Sequence, residues 1–162
     1  MYEAALQLTR SNSSMKIVMI GDGQLKADLQ RRKDIDGNDN LVFLPLMPKT
    51  ELVGFIQSAA VSLVPLANSP VLATSSPNKL FESLAAGIPV VITTEGWMKE
   101  LVQVEKLGYY VNPDDSQSLT YLLGCLERPG ESEIERIKNF AKDKFDKTVL
   151  AKEFLTALNE IA

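Results

Sequence analysis

Ser75-Ser76-Pro77-Asn78-Lys79-Leu80-Phe81-Glu82-Ser83-Leu84-Ala85-Ala86-Gly87-Ile88-Pro89-Val90-Val91 reads as a polar loop, a short helix marked at both ends, and a buried strand. Ser76 is placed to cap the helix. Pro77 falls at the first helical position, where its missing N–H costs nothing. Gly87 ends the helix and Pro89 prevents a restart. The free N–H groups of such a helix start form an anion site. Lys79 and Glu82 are three apart and share a face near it. This combination suits a nucleotide, with phosphate at the helix tip and ribose hydroxyls on the acid. A surface ion pair is the bland alternative. The context, a helix start after a long loop at a strand end, favours the nucleotide.

Outward from this stretch, short apolar runs alternate with helical patterns. The strands expected are Lys16–Ile20, Leu41–Leu44, Val61–Val64, Pro89–Ile92 and Gly108–Val111. The first four are apolar at nearly every position, the pattern of strands buried on both faces of a parallel sheet. Between them, Leu25 and Leu29 mark one helix, and Leu52, Ile56 and Ala59 another. Leu119, Leu122, Leu123 and Leu126 mark a third, with Asp114, Asp115 and Ser116 as capping residues. The fold class is therefore α/β, a Rossmann-like parallel sheet flanked by helices with right-handed crossovers.

The tail carries no strand. Ile134, Ile137, Ala141 and Phe145 line one helix; Leu150, Phe154, Leu158 and Ile161 line the next. This divides the chain into a Rossmann-like part, residues 1–130, and two C-terminal helices, residues 131–162. The longest loop, Pro65–Ser76, contains Asn68-Ser69-Pro70, and a loop of that length in a compact domain is usually functional. Met1–Leu8 already reads as a helix where an open α/β domain would start with a strand. Either a strand is missing or the chain begins partway into a larger protein.

The 162 residues suffice for a domain with a real core, at 45% hydrophobic and 23% charged. A net charge of −4 offers no basic surface to nucleic acid. No apolar run is long enough to span a membrane, and the N-terminus lacks the signal-peptide pattern, so a cytoplasmic location is expected. The single cysteine, Cys125, excludes a disulfide framework and reads as a buried inert thiol. With no histidine, Ser-His and Cys-His catalysis and histidine metal sites are excluded for this chain alone.

Other motifs are weaker. Gly21-Asp22-Gly23 follows the first strand and begins like a dinucleotide fingerprint, but Lys26 stands in place of the third glycine and no acid ends the next strand. A tight turn or a close backbone approach to a ligand are the other readings. Leu44-Pro45-Leu46-Met47-Pro48 is either core filling or an apolar seat for a base at a strand end. Asp34-Ile35-Asp36-Gly37-Asn38-Asp39-Asn40 fails calcium-loop spacing and reads as a solvated turn. In Glu95-Gly96-Trp97, Trp97 reads as a packed loop anchor rather than a ligand contact.

The opening stretch resembles the nucleotide-sugar signature of GT-B glycosyltransferases of family 4, the group 1 glycosyl transferases. Its Ser-Pro-x-Lys form resembles the branch that builds bacterial surface polysaccharides. Ile20-Gly21-Asp22-Gly23, Val42-Phe43-Leu44, Glu95-Gly96 and Gly108-Tyr109-Tyr110-Val111-Asn112-Pro113-Asp114 follow in the family's order, so the resemblance runs from Lys16 to Phe145. It implies that Glu82 is the second glutamate of the Glu-x7-Glu pair and holds the ribose. Ser75, Ser76 and Lys79 would cradle the diphosphate, and Pro45 would flank the base. The donor-contact set implied is Gly21, Gly23, Pro45, Thr74, Ser75, Ser76, Lys79, Leu80 and Glu82. No catalytic residue is assigned.

Thr74 stands where the first glutamate of the pair falls, which leaves the donor sugar open. The resemblance implies a retaining, metal-independent transfer from a nucleotide sugar, expected to be a UDP-sugar, with no other cofactor. It also implies that an N-terminal acceptor domain and the first strand of this domain, with its phosphate-binding Arg and Lys, are absent. The chain is expected to be an incomplete and inactive portion of the enzyme, cytoplasmic and, at full length, peripheral at the inner membrane face. Leu150, Phe154 and Leu158 are expected as an exposed stripe or a homodimer contact. The rival readings are an NAD-dependent enzyme and a non-catalytic interaction module.

Overall fold

The structure, a computed structural model, describes residues 1–67 and 69–161, Ile161 by its backbone alone. Asn68 of the long loop and the Ile161 side chain therefore lie outside the described residues. Helices and strands alternate as α1 (Tyr2–Arg10), β1 (Ile17–Ile20), α2 (Lys26–Asp36), β2 (Leu41–Leu44), α3 (Lys49–Ser58) and β3 (Ser62–Val64). Then follow α4 (Pro70–Ala73), α5 (Asn78–Ala85), β4 (Val90–Ile92), α6 (Trp97–Val104) and β5 (Gly108–Tyr110). The chain closes with α7 (Ser116–Cys125), α8 (Glu131–Phe145) and α9 (Lys147–Ile161). All five expected strands form, each within a residue of the expected bounds.

The chain folds as two compact units. One comprises Met1–Gly54 and Val111–Glu127, the other Phe55–Tyr110 and Arg128–Ala162. The strands make two parallel sheets, β1-β2 and β3-β4-β5, rather than one. Ile17 pairs with Leu41 in the first, and Val90 pairs with both Ser62 and Gly108 in the second. Both sheets are parallel and joined through helices, which is the expected α/β class.

In the first unit, α1 is an integral part of the core. Tyr2, Ala4, Ala5, Leu6 and Leu8 are buried, and α1 packs on α7, which buries Leu119 and Leu123. The expected solvated turn, residues 34–40, instead supplies polar anchors for this helix. Asn40 is buried, and its Nδ2 donates to the carbonyls of Ser13 and Met15 at 2.7 and 2.6 Å while its Oδ1 accepts from Thr9. Asn38, fully buried, donates to the Tyr2 carbonyl. Arg32 lies over the Tyr2 ring and pairs with Glu3, tying α2 to α1 from outside.

The second unit is built on β4. Val90, Val91 and Ile92 are all fully buried, as strands covered on both faces must be. Leu80 and Leu84 of α5, Met98 and Val102 of α6, and Ile137 and Ala141 of α8 close around it. α8 is docked further by Arg136, which donates to the carbonyls of Glu105 and Lys106 just past the end of α6. A guanidinium is favourable there because that end of a helix carries partial negative charge. α5 ends in a Schellman turn: Gly87 donates to Leu84 O and Ile88 to Ser83 O. Gly87 has φ +81, and a Cβ there would lie 2.6 Å from Ile134 Cγ2 and 2.7 Å from Ile134 O.

Several expectations are corrected. Burial on both faces holds for β4 alone. Val18 of β1 is 45% exposed, because β1 and β2 form only a two-stranded ribbon and the following α2 buries no residue. Leu25 precedes α2 and is exposed, Ala59 lies past the end of α3, and Leu126 past the end of α7. Cys125 is exposed; it lies at the end of α7, on the side away from Leu119 and Leu123. Part of the long loop is helical, as α4. The stripe of α9 is as expected: Leu150, Phe154 and Leu158 are exposed, joined by Leu155.

Gly87→Ala should destabilise the chain by more than about 2 kcal/mol in urea denaturation, through backbone strain and the clash with α8. Gly54→Ala, inside α3 with open space around it, should instead stabilise it by about 0.5–1 kcal/mol. Asn40→Ala leaves the Ser13 and Met15 carbonyls without their donor, and should cost about 2–3 kcal/mol by the same measurement.

Candidate functional site

The start of α5 lies one residue later than the sequence suggests. Pro77 is the N-cap, extended at ψ 130, and its carbonyl accepts from Leu80 N at 3.0 Å. Ser76 is therefore outside the cap, and no side chain caps this helix. Helix geometry leaves the amides of Asn78 and Lys79 without acceptors inside the helix, at its positive end. Lys79 is exposed beside them, and Glu82 is half-buried one turn further on. Leu80 points the other way: its side chain is fully buried in the core, and its amide is spent on Pro77. Ser83 fixes the helix to the sheet, its Oγ bonding both Lys79 O and Ser62 Oγ at 2.6 Å.

The loop before α5 is bonded back onto α4. Thr74 Oγ1 donates to Val71 O at 2.9 Å, and Ser75 Oγ to Leu72 O at 2.7 Å. These hydroxyl protons are engaged, so an anion at the helix start would meet backbone amides, Lys79 and Ser76. The second unit thus brings Thr74, Ser75, Ser76, Lys79 and Glu82 onto one loop and one helix turn. Gly21, Gly23 and Pro45 belong to the first unit.

In that first unit, Gly21 ends β1 with φ +130, and Gly23 N donates to the Asp22 carboxylate at 2.9 Å. Lys26 sends its Nζ to Gly21 O at 2.6 Å and to Leu44 O at 3.4 Å. The ammonium thus donates to carbonyls just past β1 and at the end of β2. It stands where the dinucleotide fingerprint has a glycine for close helix packing, so this turn differs from that motif in chemistry as well as in sequence. Met19, Leu29 and Phe43 line a cleft of about 200 Å³ beside it. Pro45 is exposed beyond β2.

One cluster escaped the sequence. After β4, Glu95 accepts from Lys99 at 2.8 and 3.0 Å and from Tyr110 Oη at 2.6 Å, while Lys99 sits 4.1 Å from the centre of the Tyr110 ring. Bonding to Lys99 first, then to Tyr110, holds the Glu95 carboxyl below its usual range. The same bond to Glu95 raises the Tyr110 hydroxyl. The i, i+4 spacing of Glu95 and Lys99 was legible; the arrival of Tyr110 from β5 needed the fold. Trp97 is the packed anchor expected: its Nε1 donates to Ser75 O at 3.0 Å, and its ring stacks on Phe81 with centroids 6.3 Å apart.

Comparison with known proteins bears on this geometry. The chain is 25% identical over 165 residues to WcaL of Escherichia coli (strain K12), a glycosyltransferase named for colanic acid biosynthesis, covering 98% of this chain and 41% of WcaL. It is 26% identical over 146 residues to AmsK of Erwinia amylovora, named as an amylovoran biosynthesis glycosyltransferase, covering 89% of this chain and 36% of AmsK. The chain thus spans about two fifths of the length of the curated relatives it matches. Among solved structures, AviGT4, a glycosyltransferase involved in avilamycin A biosynthesis, shares the fold with a TM-score of 0.67 at 16% identity, over 99% of this chain and 46% of that one. Residues 1–126 match the model of the family described as glycosyl transferases group 1, and the chain belongs to that family.

Proposed function

We propose that this chain is the donor-binding part of a GT-B glycosyltransferase, taking a nucleotide sugar, a UDP-sugar on the family resemblance, for the assembly of a bacterial polysaccharide. The carrying observation is the start of α5. Two amides without helical acceptors, Lys79 exposed on the same turn, Ser76 just before it and Glu82 one helical turn on support an anion at the helix tip. A diphosphate at the helix tip places its ribose toward the carboxylate, which accepts from both ribose hydroxyls. The positive helix end and Lys79 act on the charge that develops as the nucleoside diphosphate departs, with retention at the anomeric carbon and no metal. The roles of Gly21, Gly23 and Pro45 toward the donor rest on the family resemblance alone.

The acceptor-binding domain is the partner implied by the relatives' greater length, and this chain by itself would not transfer sugar. No helix among the described residues is long and apolar enough to cross a membrane. A cytoplasmic place, peripheral at the inner membrane face, fits the assembly of a polysaccharide from cytosolic nucleotide sugars. Leu150, Phe154 and Leu158 on α9 form the apolar face through which the chain would meet another domain or a second copy.

UDP titrated by calorimetry or ligand-observed NMR should bind with Kd on the order of 1 mM. Glu82→Gln should weaken UDP and uridine alike. Lys79→Ala should weaken UDP about threefold or more and leave uridine unchanged. No saturable binding at several millimolar would overturn the donor reading. In analytical ultracentrifugation the isolated chain should self-associate through α9, and the double variant Phe154→Ser, Leu158→Ser should return it to monomer; a monomeric native chain would remove the homodimer.

A further inference from the structure

The start of α5 depends on a loop that ends at Ser76, and such a loop is costly to order at the moment of binding. Within the second unit, the segment after β4 reaches back to this loop at both of its ends. Near the loop's beginning, Thr93 is buried. Its Oγ1 donates to Leu66 O at 2.7 Å and accepts from Leu66 N at 2.8 Å, so one hydroxyl satisfies both backbone groups of one residue. Near its end, Trp97 Nε1 holds Ser75 O. Between the two, Gly96 has φ +90 and touches the backbone just before Thr74. A Cβ there would sit 2.8 Å from Ala73 O and 3.3 Å from Ala73 Cβ.

The same indole stacks on Phe81, on the first turns of α5, and Phe81 in turn meets Phe145 of α8 edge-on at 4.9 Å. One side chain therefore fixes the loop and the helix that together make the anion position. The Ser75 carbonyl is turned toward the indole, which orients the Ser75–Ser76 peptide relative to the helix start. Carbonyl, indole and ring stack lie on three different elements: the loop, α6 and α5.

We propose that Trp97 and Thr93 are positioning residues that hold the Leu66 and Ala73–Ser76 backbone in the arrangement required by the diphosphate of the donor. Neither touches the nucleotide. They act by keeping the amide at Ser76 and the start of α5 pre-aligned, so that binding does not pay to order them. The inference rests on the donor reading of the α5 site, and its test is built so that the two fail separately.

The variants are Trp97→Phe, which keeps an aromatic ring on Phe81 but removes the N–H, and Thr93→Val, which keeps the shape but removes the hydroxyl. Both are compared with the native chain by hydrogen exchange and by titration with UDP and with uridine. Exchange at the Ser75 amide, bonded to Leu72 O, should quicken about fivefold or more in Trp97→Phe, and that at the Leu66 amide, bonded to Thr93 Oγ1, in Thr93→Val, while the β4 amides stay protected. The Kd for UDP should rise by a similar factor and that for uridine should not change. A purely structural role would move uridine and UDP together or quicken nothing at the loop; either result overturns the proposal. Unchanged exchange at Ser75 in Trp97→Phe and at Leu66 in Thr93→Val overturns it as well. A native chain that fails to bind UDP overturns the donor reading and the diphosphate role with it, while the exchange comparison still decides whether the anchor holds the loop.

Discussion

The complete burial of β4 is the constraint on which the second unit depends. Three residues, Val90, Val91 and Ile92, have no exposed surface, so both faces must be covered and both neighbours must pair. Covering them brings α5, α6 and α8 to the strand through Leu80, Leu84, Met98, Val102, Ile137 and Ala141. The tight turn at Gly87 follows, because α5 must end and reverse into β4 within a few residues while α8 crosses directly over it. In this unit the groups that the proposed function uses sit on the loop into α5 and its first turns, and the segment out of β4 bonds back to that loop. A rigid strand carrying functional loops at its ends is the general solution of open α/β sheets, where ligands meet the carboxyl ends of the strands.

The first unit solves its packing by other means. α2 buries no residue, and the β1-β2 ribbon, though apolar along both strands, is fully covered only at Ile17 and Leu41. Its helix α1 is held by buried amides as much as by methyl groups. Asn40 closes the turn between α1 and β1 with three side-chain bonds, and Thr9 bonds Asn38 and Asn40 together. Paired buried amides are costly if one partner is lost, but they set register with a directional precision that apolar contacts lack.

Periodicity and punctuation made the strands, α5 with its glycine stop, the capping of α7 and the exposed α9 stripe legible. Asp115 does cap α7, accepting from Ser118 N at 2.9 Å. Failures came where a residue's partner is distant in sequence. Asn38 and Asn40 looked like solvated turn residues because their acceptors lie on and just beyond α1, and Tyr110 could not be joined to Glu95 before β4 and β5 were seen to pair. Cys125 was misplaced for a local reason, since one helix position decides between the apolar face and solvent. Ser76 was misplaced by a single residue because Pro77 can serve either as the first helical residue or, extended, as the cap. Of the donor set, Leu80 is the residue whose chemistry the fold redirects: its spacing is that of a site residue, but its side chain belongs to the core.

That redirection says how the site and the core share α5. Successive positions alternate in duty around the first turns. Lys79 and Glu82 lie toward the open side, Leu80, Ser83 and Leu84 are buried, and Phe81 at the margin carries the stack with Trp97. Any shift of the helix to suit a ligand would disturb Leu80 and Leu84 in a close-packed interior, where even a small displacement is opposed. The helix tip, where the proposed function puts its anion, is therefore as fixed as the core itself, and it needs only its loop to be held equally still. Under the proposed function this is the condition electrostatic stabilisation demands, because dipoles that need not reorganise as charge moves onto the departing diphosphate act at full strength.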